Sequence, residues 1–201
     1  MKEGEMREEL NRIVAIASST GGPRALQTLI SSLPGDLGVP VLIVQHMPAG
    51  FTASLAERLN SISQLSVTEA NDGDVVRPNC VYLARGGVHM NVRRDAGKHV
   101  IYYTEEPPRE GVRPCANYMY ESLATCRYDE VICVVMTGMG ADGTRGIGHL
   151  IRSKKVYVIG QNAESCAVYG MPKSAMTAGI VDKELTLNLI ANEITTKVRL
   201  R

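Results

Sequence analysis

Short apolar runs rich in β-branched residues recur along the chain, each followed by a glycine-containing turn and then a stretch with helical spacing of its apolar positions. That alternation predicts a doubly wound α/β fold, with a mainly parallel sheet and helices on both faces. Arg12 to Ala17 reads as the first strand, and Gly21-Gly22-Pro23 behind it opens a helix from Pro23 to Ser32. Proline suits a first helical turn because its missing N–H has no partner there. Val39 to Val44 reads as a second buried strand and Phe51 to Leu59 as a helix, with Phe51, Leu55 and Leu59 on one face by their spacing of four.

The period changes in the middle of the chain. Val81 to Leu83, Val88 to Val92 and Val100 to Tyr103 read as strands, and Asp95-Ala96-Gly97 supplies turn chemistry between the last two. An antiparallel hairpin inserted between two α/β halves is the expectation. Glu105 to Pro114 carries Pro107, Pro108 and Pro114, which block helix and sheet ladders alike, so it is a loop. Alternation then resumes with a helix at Ala116 to Cys126, a strand at Val131 to Met136, a helix at Thr144 to Ser153, a strand at Val156 to Ile159 and a closing helix at Leu185 to Val198.

With 201 residues, 44% of them apolar, the chain supports one substantial core. The expected organisation is an N-terminal extension or linker remnant at 1–11 and one domain at 12–201. Lys and Arg number 22 against 21 Asp and Glu, with no long run of one sign, which gives no support to a general electrostatic hold on nucleic acid or an anionic membrane. Five cysteines, at 80, 115, 126, 133 and 166, form no Cys-x-x-Cys pair and read as reduced thiols. The charged start lacks an apolar leader, and the longest apolar runs have strand length, so the expected location is cytoplasmic. Four histidines without His-x-x-x-His spacing argue for no metal. The glycine-rich loops lack the Gly-Lys-Ser/Thr of a phosphate-binding loop, and no nucleotide cofactor is expected.

In doubly wound sheets the binding crevice lies beyond the carboxyl ends of the strands. Three polar segments fall there: Ser18-Ser19-Thr20-Gly21-Gly22, Gln45-His46-Met47-Pro48, and Thr137-Gly138-Met139-Gly140-Ala141-Asp142-Gly143. Together they offer a hydroxyl, an imidazole and a carboxylate, the minimum set for nucleophile, general base and orienting group in acyl transfer. Each also has a plainer role. Ser19 before a helix fits an N-cap or a phosphate cradle, His46 a satisfied strand-end residue, Asp142 a turn or cap. His89, His99 and His149 fall in the hairpin or a helix, away from the expected crevice, and Cys166 reads as a small packed thiol.

In this order the segments resemble the catalytic domain of CheB-type chemotaxis protein-glutamate methylesterases. The likeness extends through Gly50-Phe51-Thr52, His89-Met90, Pro107-Pro108, Arg113-Pro114, Gln161-Asn162, Ser165-Cys166 and Gly170-Met171-Pro172. It implies hydrolysis of glutamyl γ-methyl esters on methyl-accepting chemoreceptor helices, with deamidation of receptor glutamines as a related activity. It implies Ser19 as nucleophile, His46 as general base, Asp142 as orienting group, the Met139 amide as oxyanion donor, and Thr20 and Arg113 at the substrate rim. Such proteins also usually carry an N-terminal receiver domain, for which the residues before the first strand are too few.

Two departures stand out. Ala17-Ser18 replaces the family's usual Gly-Ala, so two serines compete for the nucleophile's place, and Ser19 keeps the spacing to Thr20-Gly21-Gly22. Cys115-Ala116-Asn117 replaces Ser-Val-Asp after Arg113-Pro114, a change expected at the substrate rim. That second change leaves room for a serine esterase on another ester. A non-catalytic anion- or partner-binding domain, with Ser19 as a mere cap, is the reading from a different class.

Overall fold

The structure is a computed structural model and describes residues 11–200, so the extension expected at 1–11 lies outside the described residues apart from Asn11. In chain order the elements are β1 (Arg12–Ser18), α1 (Gly22–Ser31), β2 (Val41–Gln45), α2 (Thr52–Ile62), β3 (Ser66–Glu69), β4 (Cys80–Leu83), β5 (His89–Asp95) and β6 (Lys98–Thr104). There follow α3 (Ala116–Ser122), β7 (Glu130–Val135), α4 (Thr144–Ile151), β8 (Lys155–Gln161), α5 (Met171–Thr177), β9 (Lys183–Leu185) and α6 (Leu187–Arg199).

Seven strands form one sheet in the order β3-β4-β2-β1-β7-β8-β9, and every pairing in it is parallel. Its central strands β1, β2 and β7 are buried from end to end, as a parallel sheet covered on both faces requires. Alternate side chains of β1 enter opposite cores. Val14 and Ile16 pack with Leu26, Leu29, Leu59, Ile190 and Ile194 of α1, α2 and α6. Ile13, Ala15 and Ala17 pack with Met119, Tyr120, Ile147, Leu150 and Met171 of α3, α4 and α5.

The inserted hairpin is β5–β6, antiparallel and separate from the main sheet, with Met90, Val92 and Ile101 buried in the α3–α5 core. The strand at Val81–Leu83, read together with the hairpin from sequence, instead joins the parallel sheet between β2 and β3. Phe51 is the other correction: α2 begins at Thr52, and the ring is 61% exposed while Leu55 and Leu59 are buried as expected. No helix among the described residues is long and apolar enough to cross a membrane.

Candidate active site

The sheet order sets β1 between β2 and β7, so the chain exits after Ser18, Gln45 and Val135 open side by side at one rim. Backbone bonds tie the three exits together: the His46 N–H donates to the Ser18 carbonyl (3.0 Å) and the Ser19 N–H to the Thr137 carbonyl (2.9 Å). The third loop presses against the first. A Cβ at Gly138 would sit 2.7 Å from the Ser19 Cβ and 2.4 Å from the Met171 sulfur, so only glycine allows this approach.

The two adjacent serines differ in what they touch. Ser18 is fully buried and its hydroxyl donates to Gln45 Oε1 (2.6 Å). Gln45 Nε2 in turn donates to the carbonyls of Ser19 (2.9 Å) and His46 (3.0 Å), clamping both exits with one side chain. Ser19 is half-buried, and among the described residues its hydroxyl has no hydrogen-bond partner. Nor is Ser19 the cap of α1: Gly21 holds that position and no side chain caps it. Gln45 was not singled out in the sequence, although its place beside His46 at a strand end was the available signal.

His46 Nε2 lies 2.6 Å from Asp142 Oδ2, with both side chains largely removed from solvent. Asp142 is an acceptor only, so the network assigns the ring proton to Nε2 and the lone pair to Nδ1. Nδ1 is buried and has no hydrogen-bond partner. Asp142 receives three more donors: the Ala116 N–H on Oδ2 (2.6 Å), and the Asn117 N–H (2.9 Å) and Cys115 thiol (3.0 Å) on Oδ1. Burial alone would push this carboxyl up. The bond from His46 and its charge, then the Cys115 thiol and the Ala116 amide, outweigh burial and hold it below the usual carboxylate range.

Met139 projects beyond the rim at 74% exposure, and its backbone N–H carries no hydrogen bond. Thr20 is exposed, with its carbonyl accepting from Thr137 Oγ1 (2.9 Å). Arg113 is exposed too, and its guanidinium reaches only the Glu105 and Glu106 carbonyls (3.4 Å each). Cys115 and Asn117, expected at the rim, are fully buried beneath Asp142. His89, expected away from the crevice, is buried one step further back, where Nδ1 accepts the Cys115 N–H (3.1 Å). Cys166 keeps its packing role: its thiol donates to the Gln161 carbonyl (3.8 Å), and burial pushes its pKa up to about 11.

Residues 14–194 match a family model described as CheB methylesterase. The protein-glutamate methylesterase/protein-glutamine glutaminase of Geobacillus kaustophilus (strain HTA426) is 48% identical over 182 residues, 90% of this chain and 52% of that protein. Its counterpart from Bacillus subtilis (strain 168) is 44% identical over 189 residues, 94% of this chain and 53% of that protein. The chain thus spans about half the length of the curated relatives it matches. The crystal structure of the Thermotoga maritima CheB methylesterase catalytic domain matches with a TM-score of 0.90 at 39% identity, covering 93% of this chain and 98% of that one.

Proposed function

Because this chain belongs to the CheB methylesterase family, we propose that it is a cytoplasmic serine hydrolase that removes methyl groups from glutamyl γ-methyl esters on chemoreceptor helices. The reading places the catalytic unit within 12–201. The observation that carries it is the His46 ring: one nitrogen is tied to Asp142 and the other is buried without a partner, at the rim where Ser19 has a free hydroxyl. A structural histidine would have both nitrogens satisfied, because a buried polar atom left unpaired costs about 1–3 kcal/mol.

In this scheme Ser19 Oγ attacks the ester carbonyl carbon and its proton passes to His46 Nδ1. Asp142 holds the imidazolium through Nε2 and keeps the ring from turning. The usual Ser-His-Asp template employs the same two nitrogens in the opposite sense. The carbonyl oxygen becomes an oxyanion facing the unpaired Met139 N–H. Methoxide leaves with the Nδ1 proton as methanol, giving a Ser19 acyl-enzyme. Water then attacks with His46 again as base, releasing the glutamate carboxylate and restoring Ser19. A glutamine side chain follows the same path with ammonia as leaving group, matching the second activity in the relatives' names. Thr20 and Arg113, exposed at the rim, are the side chains proposed to meet the receptor.

Neither alternative gains support. The case for a different ester rested on Cys115 and Asn117 facing substrate, and both are interior. The binding-only reading needed Ser19 as a cap, and Gly21 has that place. The test is methanol release from methylated chemoreceptor by the parent chain, its Ser19→Ala form and its Ser18→Ala form. Loss in the first variant and retention in the second is the expected result. Full activity of Ser19→Ala overturns the scheme.

A further inference from the structure

Asp142 and Asn117 exchange hydrogen bonds between two helices. The Asp142 carboxylate accepts the N–H groups of Ala116 and Asn117, which open α3. In return Asn117 Oδ1 accepts the N–H groups of Gly143 (3.1 Å) and Gly146 (2.7 Å), which open α4. Neither helix has a side-chain cap at its own N-cap position, so each supplies the other's. The exchange requires close contact. A Cβ at residue 146 would lie 2.7 Å from the Asn117 Cα, and glycine removes that clash.

Two further contacts fix the side chains in this arrangement. Asn117 Nδ2 donates to Glu110 Oε1 (2.9 Å), which sets the amide so that its oxygen faces α4. Cys115 is locked by His89 through its backbone N–H and presents its thiol to Asp142 Oδ1. Burial, and then the charge on Asp142, push that thiol far above its ordinary range, so it stays protonated and remains a donor.

We propose that Cys115 and Asn117 are positioning residues for the hydrolysis, fixing the Asp142 carboxylate beneath His46 through this reciprocal cap. The inference rests on the catalytic reading above. Asp142 has two oxygens and four donors, three of them from residues 115–117, so its carboxylate plane is set by the start of α3. A carboxylate free to turn would let the imidazole turn with it, and a misplacement of about 1 Å can cost on the order of a hundredfold in rate. The titratable groups around Asp142 are His46, Cys115 and Tyr120, with His89, Arg109 and Glu110 one contact further away. Tyr120 directs its hydroxyl to the Ala15 and Val134 carbonyls instead, and Arg109 is paired with Glu121. Removing the thiol therefore changes one donor to Asp142 and nothing else in contact with it.

The test compares Cys115→Ala, Cys115→Ser, Asn117→Asp and Asn117→Asp with Glu110→Gln, reading kcat, KM, the pH profile and the carboxyl ¹³C titration of Asp142. Cys115→Ala should lower kcat roughly tenfold with KM within about twofold, the size expected for one bond to a charged group. With one donor fewer, the Asp142 carboxylate is less stabilised as an anion and holds a proton more tightly. The acid limb of kcat/KM and the Asp142 titration should then both move to higher pH. Cys115→Ser keeps size and donor and should restore all three readouts. Asn117→Asp sets a carboxylate against Glu110 and should lower kcat; adding Glu110→Gln exchanges amide and carboxylate across the same bond and should recover it. A serine variant as impaired as the alanine one, or an unmoved acid limb and titration in Cys115→Ala, overturns the proposal. A parent chain that releases no methanol while the Asp142 titration moves as expected overturns the substrate reading and leaves the positioning in place.

Discussion

Two buried pairs, each built on a carboxylate, sit at opposite ends of the central strands, and they are finished differently. At the amino end Arg12 Nε donates to Glu130 Oε2 (2.7 Å), Arg12 also donates to the Val198 carbonyl, and Glu130 receives Lys155 (3.3 Å) on its other oxygen. At the carboxyl end His46 and Asp142 are as close, 2.6 Å, and Asp142 is saturated with donors, yet His46 keeps one nitrogen open. Among the described residues it is the one buried side-chain N or O atom without a hydrogen-bond partner. A pair that serves only the fold closes every valence, because each one left open destabilises it. Under the proposed hydrolysis that open nitrogen is the one that takes the Ser19 proton.

The sharpest way to break this comparison is to neutralise each carboxylate in turn. Asp142→Asn should lower turnover by up to about 10⁴-fold with a smaller effect on KM, because the ring loses the acceptor that fixes its tautomer. Stopped assays with methylated receptor measure it, and activity within a few-fold of the parent would reduce Asp142 to a helix cap. Glu130→Gln should leave activity per folded molecule unchanged and cost roughly 3 kcal/mol of stability by stranding the Arg12 charge.

The same variant has a pH signature. Burial would raise the Glu130 carboxyl, but the bonds and charges of Arg12 and Lys155 hold it below its ordinary value, as the donors around Asp142 hold that carboxyl. A carboxyl depressed in the folded state stabilises fully above the ordinary carboxylate range, near about pH 4, and loses that contribution as pH falls through the lowered value. Tm followed from neutral to acid pH should therefore fall less steeply in Glu130→Gln than in the parent. An equal slope would mean that the pair adds nothing to acid stability.

The smallest expected effect is that of Ser18→Ala. It removes the donor that orients Gln45, so stability should drop by about 1 kcal/mol. The Gln45 bonds to the Ser19 and His46 carbonyls do not need that hydroxyl, and activity should stay within a few-fold. A loss as large as that of Ser19→Ala would make the two serines indistinguishable.

Much of the architecture was legible because buried parallel strands are written as unbroken apolar runs. Arg12–Ser18, Val41–Gln45 and Glu130–Val135 were read nearly whole, and the polar residues just past their ends pointed to Ser19, His46 and Asp142. The elements missed are those without such a run. β3 (Ser-Val-Thr-Glu) and β9 (Lys-Glu-Leu) are short and largely exposed edge strands, and α5 is a seven-residue helix opened by Met171-Pro172. Edge strands have one neighbour and little burial, so their sequences carry the pattern of a loop.

Local order of residues determined which groups stand at strand ends, because hydrophobic period and turn chemistry act over a few positions. Only tertiary structure decided what those groups touch. It put Ser18 inside and Ser19 at the rim, and gave His46 one partner. It also turned Cys115 and Asn117 inward to Asp142, 25–27 positions along the chain. The physical reason is that hydrogen-bond direction and burial at this rim are set by how α3 packs on α4 over the sheet, and that packing depends on contacts far apart in sequence.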